Sequence, residues 1–336
     1  MTQVSSSTST IKSRPVLAAG FMLVASLAFA GSNILQSVLP TPAQYGGFGM
    51  ASTGMAFWQY LIATVVGLPL ILRIGLKNLR TKHPLLHELR AFVSALGIHV
   101  FVYGFAAGVP IWQMVTLLAT GPLFILLGSL LFLRERVTVT RLVASLLGFS
   151  GAILASQLGK DGFTPMTLVP IAAAALWATT DILTRYLARQ GESPETLTVS
   201  LLVLITPNHL LILLAATAWA WLAPGLVPAG LATGFPFQLP PGAGLWLLLL
   251  LGVLTAAAQY LASMAYKIAD AAYLQPFGDL KVPLSALLAL GLLAQPIPQP
   301  FWFGVVLILA GSLVLLLREG RADPAKAIDE TVVTAA

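Results

Sequence analysis

Long apolar runs, separated by short stretches rich in Lys, Arg, Gly and Pro, set the pattern of this chain. Ten such runs can be drawn, at residues 16–39, 51–74, 89–107, 112–133, 139–157, 167–187, 197–221, 245–265, 273–293 and 301–317. Most approach the ~20 residues that a helix rising 1.5 Å per residue needs to cross a hydrocarbon layer. They are continuous, not alternating, which excludes the roughly ten-residue dyad pattern of an outer-membrane barrel. A continuous apolar run in lipid must satisfy its backbone within itself, and only a helix does that. The pattern therefore predicts an all-α polytopic membrane protein of ten transmembrane helices. The least sharp boundary lies between the third and fourth runs, around Gly108 and Pro110.

Composition narrows the class. Hydrophobic residues make up 57% of the 336 and charged residues 9%, with a mean hydropathy of +0.89. Soluble domains carry about 25% charged residues. A soluble enzyme, a nucleic-acid binder and a disordered chain are excluded. The net charge of +6 is a topology signal, because the basic residues lie between the runs. With the N-terminus in the cytoplasm, sixteen Lys and Arg fall on the cytoplasmic side and only Lys160 on the other, while Lys281 lies within a run. That split predicts both termini inside, with polar tails at 1–15 and 318–336. There is no cysteine, so disulfides, thiolate catalysis and Cys-ligated metals are excluded. No metal site and no cofactor is expected. The segment 222–243 carries five prolines and no charge, and reads as a stiff outer loop or a cap over an outward-facing cavity.

Internal similarity organises the runs further. A shift of 148 places residues 30–35 (AGSNIL) on 178–183 (ATTDIL), with Asn33 opposite Asp181. A shift of 160 places His99 on Gln259, Leu130 on Leu290 and Gly151 on Gly311. The units are 16–159 and 160–317, five runs each. Five is odd, so the second unit enters the membrane from the opposite side. Such inverted repeats are the architecture of alternating-access transporters.

The stretch Leu117-Leu118-Ala119-Thr120-Gly121-Pro122-Leu123-Phe124, then Leu131-Phe132-Leu133-Arg134-Glu135-Arg136, then Gly148-Phe149-Ser150-Gly151-Ala152, resembles the EamA-type repeat of the drug/metabolite transporter superfamily. The resemblance covers residues 16–317. The second unit departs from it: Gln295 replaces the Glu that closes the helix, Pro283 is displaced by one position, and Asp279 and Lys281 interrupt the ninth run. The resemblance implies a ten-helix carrier of small organic solutes with a cavity between its halves. Amino-acid exporters of the YddG type are similar in layout, and the aromatic and amide-rich spans lean toward an apolar or aromatic amino acid moved outward.

Charges at bilayer depth cost at least about 2.5–3.5 kcal/mol and need a reason. Asp181 has Arg185 on the same helical face, and reads either as half of an ion pair or as a substrate or proton site. Asp279 and Lys281 lie between Pro276 and Pro283, where unwinding would expose backbone carbonyls to a solute, or where they pair between helices. Lys281 is also placed to answer Asp181 across the interface between the units. His99 has Tyr103 one turn on, and its ring titrates near neutral pH. Trp177, one turn before Asp181, and Tyr260, beside Gln259, offer aromatic faces to a planar or cationic solute. The expected cavity set is His99, Tyr103, Trp177, Asp181, Gln259, Tyr260, Asp279 and Lys281. The expected helix breaks or gates are Pro122, Glu135, Pro276 and Pro283. His209 reads as a local backbone cap, and His83 and His87 as solvated loop residues.

One enzyme class competes. Gly148-Phe149-Ser150-Gly151 matches the short motif of intramembrane serine proteases, with His99 or His209 as base. Asp181 and Asp279 also imitate an aspartyl dyad. The motif is short, and the span count does not fit. The expected partners are a small-molecule substrate and the lipid bilayer, with protons coupled through His99 or Asp181. Nucleic acid is not expected. The chain is a monomer or a homodimer, and its expected location is a bacterial inner membrane.

Overall fold

The computed structural model describes residues 14–157, 165–232 and 235–319. Lys160 and most of both tails lie outside the described residues. The described chain holds twelve α-helices, joined by turns and short 3-10 segments, and no strand. They are α1 (Pro15–Val38), α2 (Ser52–Ile74), α3 (Pro84–Ala106), α4 (Ile111–Leu117), α5 (Gly121–Leu131) and α6 (Val139–Ala155). Then follow α7 (Leu168–Arg189), α8 (Pro194–Leu222), α9 (Ala243–Ile268), α10 (Ala271–Asp279), α11 (Lys281–Leu293) and α12 (Gln299–Arg318). Counting α4–α5 and α10–α11 as one segment each, nine described segments are long and apolar enough to cross a membrane. The remaining apolar run, α6, has 17 residues and spans about 26 Å. Exposed Leu131, Leu292, Phe303 and Val306 cover the outside, a surface suited to lipid and not to water.

Local chemistry sets the ends. Proline in the first turn opens α1, α3, α5, α8 and α12, where its missing N–H is not needed. Thr138, Ser193 and Asp270 cap α6, α8 and α10 by accepting backbone N–H bonds. The third helix starts at Pro84, five residues before the expected edge. That shift carries His87 and Arg90 out of the loop and into the buried interior, where both are about 1% exposed or less. The expectation of a solvated His87 is thereby overturned: its Nδ1 lies 2.7 Å from the Ser200 hydroxyl.

The fourth and ninth runs are each divided into two helices, and Pro276, expected as a break, lies inside α10. Pro122 follows a 3-10 turn at Leu118–Thr120, and Pro283 follows a break at Leu280. The shift of 160 also relates backbone details. Arg134 and Ala294 both adopt φ +52° just beyond α5 and α11. The Glu135 N–H then reaches the Ser129 carbonyl at 3.1 Å, and the Gln295 N–H reaches the Ala289 carbonyl at 3.2 Å. Glycines bring α6 and α12 into backbone contact. A Cβ on Gly151 would sit 2.6 Å from the Gly304 carbonyl oxygen, and one on Gly311 would sit 2.7 Å from that of Ala144. The same shift exchanges these two contacts. Other packing partners are matched similarly: α1 on α9 with α7 on α3, and α2 on α9 with α8 on α3.

The proline-rich loop docks on the start of α2. The Gly230 carbonyl accepts the Ser52 N–H at 2.9 Å, and the Leu231 carbonyl accepts the Thr53 hydroxyl at 2.7 Å. The Thr53 N–H also reaches the Leu231 carbonyl, at 3.2 Å, so the Ser52 and Thr53 N–H groups, which the first turn of a helix leaves free, are both occupied. A shallow groove with about 30 Å³ of enclosed space lies between residues 48–54 and 236–241.

Candidate functional site

Three charged groups meet where α5 and α7 finish. Glu135 takes two of them: Arg189 at 2.5 Å and Arg185 at 3.6 Å. Arg189 also donates to the Leu133 carbonyl at 3.0 Å. This ties the end of α5 to the end of α7. It also removes Arg185 from Asp181. The expected Asp181–Arg185 ion pair is not made, because Glu135 competes for the guanidinium.

Asp181 is consequently left without a hydrogen bond or an ion pair within 4 Å among the described residues. It is half-buried, with Arg185 and the buried Arg90 acting on it only through longer-range electrostatics. Arg90 is itself held by the Thr184 hydroxyl at 3.2 Å, the Leu197 carbonyl at 2.5 Å and the Ser200 hydroxyl at 3.0 Å. Sequence reading missed Arg90, having counted it as a loop cation.

Asp279 and Lys281 flank the α10–α11 break at Leu280. The Gln275 amide donates to both Asp279 carboxylate oxygens, at 3.2 and 3.3 Å. The Lys281 ammonium stands 5.9 Å from the centre of the Phe29 ring, a cation–π distance. It answers Asp279 and not Asp181. The Tyr266 hydroxyl on α9 feels both Asp279 and Asp181 electrostatically. The carbonyls expected to be exposed at the break are partly taken: the Ser26 hydroxyl of α1 lies 2.8 Å from that of Phe277 and 3.2 Å from that of Gly278.

Trp177 forms the aromatic wall beside Asp181. Its ring centre lies 5.5 Å from Phe101, and Gly97 leaves room for it: a Cβ there would meet the indole Nε1 at 2.7 Å. The spacing of four residues puts Trp177 and Asp181 on one face of α7. Asn33, the residue matched to Asp181, is buried and donates to the Ser285 hydroxyl at 3.0 Å.

A second polar group lies at mid-bundle. His209 Nδ1 and His99 Nε2 are 3.0 Å apart, and the Tyr60 ring stacks on His209 with centres 4.4 Å apart. Gln259 bonds the Tyr60 side chain. His209 is thus no backbone cap but the partner of His99. Tyr60 and His209 are related by a shift of 149, a signal in the sequence that their different side chains conceal. Tyr103 is half-buried one turn beyond His99. Tyr260 is 47% exposed on the outward stripe of Trp246, Leu250 and Val253, away from this group. Ser150 faces outward on α6, while His99 and His209 engage each other, so no Ser–His arrangement exists. Among the described residues no group of three His, Cys, Asp or Glu could hold a metal.

Comparison with known proteins places this geometry. Residues 16–157 match the EamA-like transporter family. A riboflavin transporter of Rhizobium johnstonii is 40% identical over 311 residues, covering 93% of this chain and 94% of its own. A riboflavin transporter of Vibrio cholerae is 40% identical over 302 residues, covering 89% and 92%. An S-adenosylmethionine uptake transporter of Rickettsia bellii is 24% identical over 294 residues, covering 88% and 94%. A solved crystal structure shares the fold, with a TM-score of 0.54 at 20% identity, covering 87% of this chain and 96% of that one.

Proposed function

This chain belongs to the EamA-like transporter family, an integral multi-pass membrane transporter and not an enzyme, and from that premise we infer that its substrate is a flavin, riboflavin or a close analogue. The observation that carries the reading is the Asp181 carboxylate, without an ion pair within 4 Å among the described residues and one turn from Trp177, in a chain 40% identical to a riboflavin transporter over 93% of its length. Riboflavin is an uncharged, planar tricycle with an imide edge and a polyhydroxylated side chain. Trp177, Phe29 and Tyr266 offer faces to the ring. Asp181 and Asp279 accept hydrogen bonds from the imide N–H and the ribityl hydroxyls, and Gln275 and Lys281 donate to the ring carbonyls. A carboxylate that accepts from neutral donors gains about 1.5–3 kcal/mol per charged hydrogen bond. The relatives described are named for riboflavin and S-adenosylmethionine, which gives the amino-acid reading no support.

The membrane arrangement that serves this is ten spans with both termini in the cytoplasm of a bacterial inner membrane. Residues 16–159 and 160–317 form two five-helix units of inverted topology. The positive-inside distribution and the matched packing partners support it. The two units rock about the cluster at Asp181 and Asp279, and the Glu135–Arg189 tie opens and closes the basic end.

Binding can be followed by flavin emission, which stacking on an indole quenches. Riboflavin added to the purified protein should be quenched saturably, and Trp177→Leu should weaken the apparent affinity about 3–10-fold, the loss expected for one aromatic contact. Unchanged quenching in that variant would remove Trp177 from the site. The more distant relatives support a competing substrate: if S-adenosylmethionine displaces nothing while riboflavin analogues do, the flavin reading stands over the sulfonium one.

A further inference from the structure

The contact of His99 with His209 has an unusual hydrogen count. Two neutral imidazoles carry two N–H protons on four nitrogens. One of them lies in the 3.0 Å bond between His209 Nδ1 and His99 Nε2. The other must sit on His99 Nδ1 or on His209 Nε2, and the remaining nitrogen is a bare acceptor. Both of these outer nitrogens are buried and have no hydrogen-bond partner among the described residues, on rings that are 4% and 0% exposed. An orphaned donor and an orphaned acceptor in a membrane interior are costly and call for an occupant. Charged neighbours do not supply one. From α2 the pair faces the stacked Tyr60, while α3, α7, α8 and α9 present no charged side chain that acts on either ring.

We propose that His99 and His209 form a proton relay across the contact of α3 with α8, through which this carrier couples substrate movement to a proton. A proton arriving at the bare outer nitrogen of one ring makes that ring a cation. The hydrogen of the central bond then shifts to the other ring, whose outer N–H leaves. One proton has entered and one has left. The pair ends in the opposite tautomer, and once the helix contact opens each ring returns to its starting tautomer by exchanging its proton with the side it faces, so the reset carries no proton back across. Because both outer nitrogens are buried in this arrangement, transfer waits on a movement of the helices, and the pair does not leak. The bond lies between one helix from each half of the chain, where rocking of the halves would open one end or the other. The related position cannot do this: shifts of 149 and 160 match His209 to Tyr60 and His99 to Gln259, and a phenol with an amide does not pass a proton near neutral pH. The relay is therefore confined to one of two equivalent places.

Coupling rests on the transporter reading above, whereas the relay itself can be observed without substrate. The chain has four histidines, so ¹⁵N-histidine solid-state NMR of the protein in bilayers resolves each ring. The relay requires a mixture of protonated and bare states at both His99 Nδ1 and His209 Nε2, collapsing to one state in His209→Gln. A single locked tautomer from pH 5 to 8 would overturn it. In proteoliposomes, an imposed pH gradient should raise riboflavin accumulation at least about 10-fold, and His99→Gln and His209→Gln should abolish that gain while keeping riboflavin exchange within about twofold. Exchange with accumulation indifferent to the gradient, or gradient-driven accumulation that survives in both variants, would overturn coupling through the pair. Absence of riboflavin exchange in the unaltered protein strikes the flavin reading alone, and the NMR result then decides the relay.

Discussion

Asp181→Ala is expected to lower riboflavin exchange about 10–100-fold, because it removes an ionised acceptor whose hydrogen bonds are worth about 1.5–3 kcal/mol. The same change should leave folding intact. Asp181 makes no ion pair within 4 Å among the described residues, Arg185 being taken by Glu135, so its removal orphans no described partner. A charge at bilayer depth is itself unfavourable by about 2.5–3.5 kcal/mol, so the melting temperature of the variant should hold or rise. Asp181→Asn should fall between, since an amide keeps the shape and loses the charge. Loss of activity with gained stability is the mark of a functional charge. Reduced stability with activity in proportion would mark a structural one. Stability can be read by size-exclusion chromatography after heating, and exchange by labelled riboflavin in vesicles. Asp181→Ala at full exchange rate would remove Asp181 from the site.

The largest effect on folding is expected at the α6–α12 crossing. Gly304→Ala should destabilise the protein by about 1–3 kcal/mol, and Gly304→Val by more, because overpacking a rigid contact forces helices apart. What stands opposite is the backbone and side chain of Gly151 and Ala155, which cannot rotate away as a long side chain could. Gly311→Ala, at the matched contact with the Ala144 carbonyl, should show a similar loss. Gly67→Ala is the control, since a Cβ there meets nothing within 4 Å. Equal melting temperatures for Gly304→Ala and Gly67→Ala would show that the crossing tolerates separation.

How much of this was legible in the sequence depends on the range over which each signal acts. Every apolar run became a helix or a broken pair of helices, because hydropathy and proline act within a few residues. The breaks after Thr120 and at Leu280 followed Pro122 and Pro283 for the same reason. The matching of Asn33 with Asp181, His99 with Gln259 and Gly151 with Gly311 was also available. Pairing between helices was not. Arg185 and Asp181 share a helical face, and only the arrival of Glu135 from α5 decides which carboxylate the guanidinium takes. His209 beside Pro207 and Asn208 looks locally satisfied, and its true partner is 110 residues away. Arg90 sits at the edge of an apolar run, where sequence alone cannot separate a loop cation from a buried one bonded to Thr184 and Ser200. Tyr260 shows the converse: a polar aromatic next to Gln259 turns outward because adjacent residues on a helix point about 100° apart.

The most direct test of the central claim is riboflavin counterflow in liposomes holding only this chain. Vesicles preloaded with unlabelled riboflavin should take up labelled riboflavin faster than empty ones, with saturation and with competition by flavin analogues. Trans-stimulation of that kind requires a carrier that returns with its substrate bound, which is the cycle that two rocking halves around Asp181 and Asp279 would perform. Uptake by folded, incorporated protein that is indifferent to preloading and does not saturate would contradict the account.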